Sequence, residues 1–194
     1  MEKTDWENRY RTGDTPWEKG APHPALVDWL RAQLLHGRIL VPGCGSGHDV
    51  RAIAATGAEV VGLDLAASAV ETAQQYPRVG RETYVQGVLF ALPAGWAGTF
   101  DAVVEHTCFC AISPDFREAY ARSVASLIRP GGHFLAIFYL DPGHDEGGPP
   151  YGCTTAEIER LFSPAFRLLA EKKDIPTYPG REGREILQMW ERLP

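Results

Sequence analysis

The segment VPGCGSGHDV, residues 41–50, places three glycines close together directly after an apolar run. Glycine has no Cβ, so the backbone can turn sharply there and a ligand can approach it closely. Asp64 ends the next apolar run, VVGLD, 21 residues after Gly43. A carboxylate at that position can accept hydrogen bonds from both hydroxyls of a ribose. The pair predicts an adenosine cofactor, either NAD or S-adenosylmethionine.

Two further features of the sequence favour S-adenosylmethionine over NAD. The dinucleotide fingerprint reads G-x-G-x-x-G, whereas the glycines here read G-x-G-x-G and position 48 is His. The stretch LIRPGGHFLAIF, residues 127–138, is similar to the approach to the fifth strand in Rossmann-like methyltransferases that use S-adenosylmethionine. An NAD-dependent oxidoreductase remains the alternative on the glycine turn alone.

The N-terminal segment carries three large aromatic side chains, Trp6, Tyr10 and Trp17, within a polar sequence. Such a segment seldom contains so many aromatics unless they pack against something. Two interpretations follow: the rings cover a cofactor, or they staple a helix to the sheet.

The elements that must position these residues alternate along the chain, with apolar runs separating helix-like stretches and no linker or repeat between them. This order is typical of a parallel sheet covered by helices. Capping patterns predict helix starts at Thr4, Ser68 and Thr154. We therefore expect one α/β methyltransferase domain over residues 1–194, with a Rossmann-like, doubly wound, mostly parallel seven-stranded sheet whose last strand is antiparallel. The predicted strands are 38–42, 58–64, 82–87, 100–109, 131–140, 166–175 and 184–193.

Composition and charge narrow the class of protein. The chain has 19 Lys and Arg against 25 Asp and Glu, a net charge of −6, which argues against a nucleic-acid surface. The charged N-terminus lacks the apolar core of a signal peptide, and no apolar run approaches the ~20 residues of a membrane span. Cys108 and Cys110 form a C-x-C pair that we expect to pack within a strand and not to hold a metal. A cytoplasmic protein without metal, membrane or nucleic-acid partners is expected.

The order of short motifs adds a family resemblance. The motifs W-x-x-x-Y, G-x-T-P-W, V-P-G-C-G-x-G-x-D, V-V-G-L-D, F-C-A-I-x-P and G-G-P-P-Y, closing with G-R-E-x-L-x-x-W at 183–190, resemble the thiopurine S-methyltransferase family. That family includes thiol and halide methyltransferases. The resemblance implies transfer of a methyl group from S-adenosylmethionine to a small thiol or sulfide. A halide methyltransferase and a cofactor-binding protein without catalysis remain the alternatives.

The resemblance and the strand order together imply a set of site residues. Residues 1–22 would form an N-terminal lid over the cofactor. Val88 stands where the family usually carries an acid, and His106 where plant relatives carry Tyr. The cofactor-binding candidates are Trp6, Tyr10, Trp17, Gly43, Gly45, Asp64, Val88, Leu89, Glu105 and His106. The substrate-binding candidates are Trp17, Arg117 and Tyr151, and the catalytic candidates are Tyr151 and His106.

Methyl transfer from a sulfonium is an in-line displacement that depends on alignment of the reactants and exclusion of water. A free thiol ionises near pH ~8.5, so a minority of thiolate is present at neutral pH. No strong base is obligatory. Tyr151, His106 and Glu105 are the side chains that could tune the nucleophile.

Overall fold

The protein is described by a computed structural model that covers residues 4–32, 35–143 and 147–194. Seven strands form one sheet in the order β3-β2-β1-β4-β5-β7-β6, in which β7 alone runs antiparallel to its neighbours. This confirms the predicted fold class. The strands are β1 (Arg38–Pro42), β2 (Glu59–Asp64), β3 (Arg81–Gln86), β4 (Phe100–His106), β5 (Ile128–Tyr139), β6 (Phe166–Lys172) and β7 (Glu185–Arg192).

Helices cover both faces of the sheet. They are α1 (Trp6–Thr12), α2 (Pro24–Ala32), α3 (His48–Ala54), α4 (Ala67–Gln75), α5 (Arg117–Leu127) and α6 (Thr155–Phe162). Along β1, Leu40 packs in the apolar cluster under α5 and α6, whereas Ile39 and Val41 pack in the cluster under α2 and α3. Successive strand residues point to opposite faces, so a sheet buried on both sides requires the continuous apolar runs of the sequence. Within the described ranges, no helix is long and apolar enough to cross a bilayer.

The strand order reverses direction between β1 and β4. The chain leaves β1 towards β2 on one side and leaves β4 towards β5 on the other. In open parallel sheets such a reversal leaves a crevice outside the carboxyl ends of the strands, where ligands bind. The glycine turn after β1, Asp64 at the end of β2 and His106 at the end of β4 all lie at this edge.

Two of the predicted capping patterns are wrong for one shared reason. The cap of α1 is Asp5, whose carboxylate accepts the backbone N–H of Asn8 at 3.0 Å. Glu7 instead reaches across to α4, where it accepts from the backbone N–H of Ser68 at 3.0 Å and from its hydroxyl at 2.6 Å. The helix α4 begins at Ala67 without a side-chain cap from its own chain neighbours. Asp5 therefore caps α1 in place of Thr4, and the contact of Glu7 with Ser68 takes the place of the predicted local cap of α4.

The third capping pattern is confirmed. Thr154 precedes α6, and its hydroxyl accepts the backbone N–H of Glu157 at 3.1 Å. This bond satisfies one of the backbone N–H groups that the first turn of a helix leaves without a partner.

We predict that Thr154→Ala lowers the free energy of unfolding by about 1 kcal/mol, because the N–H of Glu157 loses its acceptor. Urea denaturation measures this change. The matched control is Thr155→Ala, an exposed residue one position later that makes no cap; it should change stability by less than ~0.5 kcal/mol. Equal effects of the two substitutions would contradict the capping role.

Candidate active site

A cavity of about 480 Å³ lies at the carboxyl ends of β1, β2 and β4. This volume is within the range of small-molecule sites. Its wall is formed by α1 and the residues after it, the glycine turn, the loops after β2, β3 and β4, and the segment 178–181. The crevice expected from the strand order is therefore enclosed on several sides.

The glycine turn forms one wall because its backbone conformation excludes side chains. Gly43, Gly45 and Gly47 have φ angles of 59°, 52° and 77°, a region that residues with a Cβ rarely adopt. A Cβ on Gly45 would lie 2.9 Å from the hydroxyl of Tyr10, and one on Gly47 would lie 2.6 Å from the ring of Tyr84. The turn therefore requires glycines for two reasons, the positive φ angles of its backbone and the close approach of neighbouring side chains.

Asp64 lines the cavity with its carboxylate held in one orientation. One oxygen accepts the N–H of Gly45 and the other accepts the N–H of Ala66, both at 2.9 Å. Burial raises the pKa of Asp64 above its ordinary value, and the backbone donors only partly oppose this rise. Each oxygen keeps a lone pair for another donor such as a ribose hydroxyl. The N–H of Gly45 is used by Asp64 inside the protein, and a direct role of Gly45 in cofactor binding stays a prediction.

The three N-terminal aromatics form one cluster on the cavity wall. The ring of Trp17 meets those of Trp6 and Tyr10 edge-on, at centroid distances of 5.3 and 5.7 Å. The indole N–H of Trp17 donates to the hydroxyl of Tyr10 at 3.1 Å, and the guanidinium of Arg9 lies 4.4 Å from the Trp17 ring. The two apolar clusters of the sheet do not include these rings. Their placement supports a cover over the cavity more than a brace on the sheet.

Polar contacts attach the same segment to the body of the protein. Glu18 pairs with the hydroxyl of Ser46 in the glycine turn, and its other oxygen lies 3.1 Å from Nε2 of His48. Glu7 binds Ser68 as described above. These contacts attach the N-terminal segment to the glycine turn and to α4.

The wall beyond β3 contains the residues expected to flank an adenine. Val88 and Leu89 both line the cavity, together with Gly87 and Phe90. Val88 offers no side-chain acceptor to an adenine amino group, so a polar contact here falls to the backbone. Both residues are on the cavity wall, and their contact with an adenine stays a prediction.

His106 lies on the cavity wall at the end of β4, and it is paired with an acid that the sequence analysis did not identify. Its Nδ1 lies 2.7 Å from a carboxylate oxygen of Asp49, at the start of α3. Asp49 belongs to the glycine motif V-P-G-C-G-x-G-x-D. Its position in that motif does not indicate that it pairs with His106, which lies 57 residues away. Burial raises the pKa of Asp49, but the charge and hydrogen bond of His106 and the N–H of His23 outweigh burial and lower it overall.

A second buried group adjoins this pair. His23 Nε2 lies 3.0 Å from Glu185, which also accepts from Arg181 at 2.9 Å. Nitrogen atoms of His23 and His106 and an oxygen of Glu185 lie within 4.8 Å of one another, a spacing compatible with a metal. However, Nδ1 of His23 accepts the backbone N–H of Ala25 at 3.1 Å, so the proton of the neutral ring is on Nε2 and points to Glu185. His23 in this tautomer is a donor to Glu185 and not a metal ligand.

The structure corrects the placement of Glu105, which does not line the cavity. Neighbouring strand residues face opposite sides, so Glu105 points into the core beneath α5 while His106 faces α3. Its carboxylate accepts the N–H of Phe109 at 2.7 Å and the hydroxyl of Tyr120. Glu105 is therefore a core residue and not a direct contact of the cofactor.

Arg117 and Tyr151 are likewise absent from the described cavity wall, against expectation. The ring of Tyr151 folds over Gly148, where an added Cβ would lie 2.3 Å from it. Arg117 is buried and donates to Glu157 at 2.8 Å and to the carbonyls of Tyr151 and Gly152 at 3.1 and 2.9 Å. Arg117 thus supports the loop that carries Tyr151, and that loop contributes its prolines, Pro149 and Pro150, to the cavity.

The C-x-C pair also differs from its predicted setting. β4 ends at His106, and Thr107 adopts a left-handed φ of 65° that takes the chain out of the sheet. Cys108 and Cys110 follow in this turn, Cys110 within a short 3₁₀ helix, and both line the cavity. Burial raises the pKa of Cys110 well above its ordinary value, so its thiol is neutral.

Comparison with known proteins agrees with this arrangement. The model of the thiopurine S-methyltransferase family matches residues 1–192. The chain belongs to this family. The predictions of the family and of S-adenosylmethionine as cofactor are confirmed, and the NAD-dependent alternative is excluded.

Relatives and solved structures extend the comparison. The chain is 34% identical to thiocyanate methyltransferase 1 of Brassica oleracea, over 100% of this chain and 87% of the relative. It is 32% identical to a probable thiol methyltransferase 2 of Arabidopsis thaliana, over 96% and 84% of the two chains. It is similar in fold to the 1,6-didemethyltoxoflavin-N1-methyltransferase of Burkholderia thailandensis, solved with S-adenosylhomocysteine, with a TM-score of 0.75, 19% identity and coverage of 98% and 86%.

Glu105 makes the stability of the fold depend on pH. Burial raises the pKa of its carboxyl from 4.5 to about 7, although the donors from Phe109 and Tyr120 oppose the rise. Between these values the folded protein holds a proton that the unfolded chain releases. The stabilising contribution is therefore present in full below pH 4.5 and is lost as the pH rises through 7.

We predict that Glu105→Gln weakens this dependence, because an amide keeps a proton-bearing group at all pH values. Urea denaturation at pH 5 and pH 8 should show a smaller decrease in unfolding free energy for the variant than for the wild type. Glu159→Gln, an exposed acid in α6, is the control and should behave as the wild type does. An unchanged difference between the two pH values in Glu105→Gln would refute the assignment.

Proposed function

We propose that this protein transfers a methyl group from S-adenosylmethionine to a small thiol or sulfide. The observation that carries the proposal is the composition of one cavity, which Asp64, the aromatic cluster and His106 line together. The names of the thiocyanate and thiol methyltransferase relatives support an acceptor whose nucleophile is a soft, polarizable atom.

The cofactor end of the cavity fits an adenosine that carries a cationic sulfonium. In the proposal Asp64 accepts the ribose hydroxyls, Val88 and Leu89 flank the adenine, and the backbone at Gly43 meets the methionine end. Trp6, Tyr10 and Trp17 cover this end, and the negative faces of their rings attract a cation. The bound cofactor supplies an electrophilic methyl group.

The acceptor end fits a small, soft nucleophile. Its wall includes Cys110, Ile112, Pro149 and Pro150, which exclude water and offer no competing charge. Positive charge disappears during the transfer, so a dry and largely apolar surrounding favours attack by an anion. His106 is the titratable side chain that we assign to this end.

A halide or thiocyanate ion is the second candidate acceptor. The 34% identity to a thiocyanate methyltransferase favours it, and such an ion needs no deprotonation. Arg181 also lines the cavity, and the charge of its guanidinium is partly balanced by the hydrogen bond that it donates to Glu185.

Mass spectrometry distinguishes the acceptors. Purified protein is incubated with S-adenosylmethionine and, separately, an alkyl thiol, an aromatic thiol, sulfide, thiocyanate, iodide or bromide. We expect methylated thiols or sulfide to form fastest, with S-adenosylhomocysteine in equal amount. Methyl halide as the main product would replace the thiol assignment by the halide one, and cofactor binding without turnover on any acceptor would overturn the proposal.

The N-terminal lid makes a separate prediction. If residues 4–20 close over the cofactor, their amide hydrogens should exchange rapidly in the free enzyme and markedly more slowly with S-adenosylhomocysteine. Trp17→Ala should lower both cofactor affinity and turnover, with a smaller effect on the melting temperature of the free protein. Hydrogen exchange measured by mass spectrometry tests this, with NAD as the control ligand that should change nothing. Exchange that is slow without ligand and unaffected by it would assign the aromatics to the core.

A further inference from the structure

We propose that His106 is the base that removes the proton of the acceptor and that Asp49 is the residue that positions it, so that the preferred acceptor is a thiol that enters with its proton. This inference rests on the proposed methyl transfer and deepens it. It distinguishes protonated thiols from ions such as iodide and thiocyanate, which have no proton to give.

The first support is the tautomer that the contact between His106 and Asp49 requires. A carboxylate only accepts hydrogen bonds, so Nδ1 of a neutral His106, 2.7 Å from Asp49, must carry the ring proton. The lone pair of the ring is then on Nε2. That atom is buried and has no hydrogen-bond partner in the part of the chain that the structure describes. The ring is 90% buried and lines the cavity.

The contacts and charge of Asp49 suit a residue that positions His106. Its other carboxylate oxygen accepts the backbone N–H of His23 at 2.8 Å, which fixes the plane of the carboxylate. The pKa of Asp49 is lowered overall despite its burial, so it is ionised at neutral pH. An ionised Asp49 holds the proton on Nδ1 and stabilises the imidazolium that forms when Nε2 accepts a second proton.

The other charged and titratable groups around His106 are already paired. His23 donates to Glu185, whose second oxygen accepts from Arg181, and the hydroxyl of Tyr178 donates to the carbonyl of Ala21 at 2.7 Å. Burial lowers the pKa of His23, which keeps that ring neutral and limits repulsion of a charged His106 at a ring distance of 4.5 Å. Nε2 of His106 is the position left without a partner among the described residues, and a donor from the acceptor molecule that reaches this buried atom would satisfy it.

The chemical step balances without another reactant. The S–H bond of the thiol breaks, its proton goes to Nε2 of His106, and the electron pair stays on sulfur. The thiolate sulfur then forms its bond to the methyl carbon as the bond from that carbon to the cofactor sulfonium breaks, with that pair left on the cofactor sulfur. His106 later returns its proton to solvent. A typical thiol is mostly protonated at neutral pH, since its pKa is about 8.5, and gains from a base.

The decisive variant is Asp49→Asn. The Asn oxygen can still accept the N–H of His23, but its amide N–H₂ faces Nδ1 of His106 and favours the opposite tautomer, in which Nε2 carries the proton. For an alkyl thiol we expect kcat/KM to fall by about 10²-fold or more, the usual contribution of a general base. For iodide, thiocyanate or an aromatic thiol that is ionised at the assay pH, we expect little change. His106→Gln should reproduce this selective loss.

Controls and a readout without turnover complete the test. Asp28→Asn, the same change at an exposed residue whose side chain pairs with Arg31, should leave all acceptors unaffected. Nitrogen-15 NMR of the imidazole should show His106 protonated on Nδ1 in the ligand-free wild type and on Nε2 in Asp49→Asn; this measurement and His106→Gln decide the matter if Asp49→Asn is unstable. Equal losses on protonated and ionised acceptors, or an Nε2 proton in the wild type, would overturn the inference while leaving methyl transfer intact. A wild type without turnover on any acceptor would instead overturn the proposed function.

Discussion

The reversal of strand order between β1 and β4 is the constraint on which the rest of the structure depends. Because the two connections leave in opposite directions, the space above these neighbouring strand ends stays open. The groups that close it come from elsewhere in the chain, namely α1, the loop after β3 and the segment before β7. The cavity takes two of its polar groups, Asp64 and His106, from the last residues of β2 and β4.

Three carboxyl groups near the strand ends have pKa values that shift in different directions. Asp64 is held by two backbone donors, Asp49 by a backbone donor and a histidine, and Glu105 by a backbone donor and a tyrosine. Of these three acids, Asp49 alone has a direct hydrogen bond to a side chain that can carry positive charge. Its pKa falls, whereas burial raises those of Asp64 and Glu105. The hydrogen-bond partner, together with the depth of burial, sets the direction in which the pKa of each acid shifts.

The sequence predicted those elements whose bounds are set by neighbouring residues. β1 was predicted to the residue because a short apolar run ends at a glycine turn, and the closing pair β6 and β7 followed from alternation and order. The start of α1 and the end of β4 were not, since Glu7 is used by α4 and Thr107 turns left-handed after His106. The pairs Asp49–His106 and His23–Glu185 span 57 and 162 residues, and no spacing rule connects residues so far apart.

Motif resemblance gives the positions of residues along a chain but not the directions of their side chains. Which residues line the cavity depends on those directions. Glu105 and His106 are adjacent in one strand, so only one of them can face the cavity, and the register selects His106. In the loop G-G-P-P-Y the prolines form the wall while Tyr151 packs on Gly148, and Arg117 holds this loop from behind. The G-G-P-P-Y motif therefore contributes its prolines to the cavity wall, while its tyrosine packs within the loop. His106, one of the two expected catalytic candidates, lines the cavity, whereas its partner Asp49 lies outside the expected set.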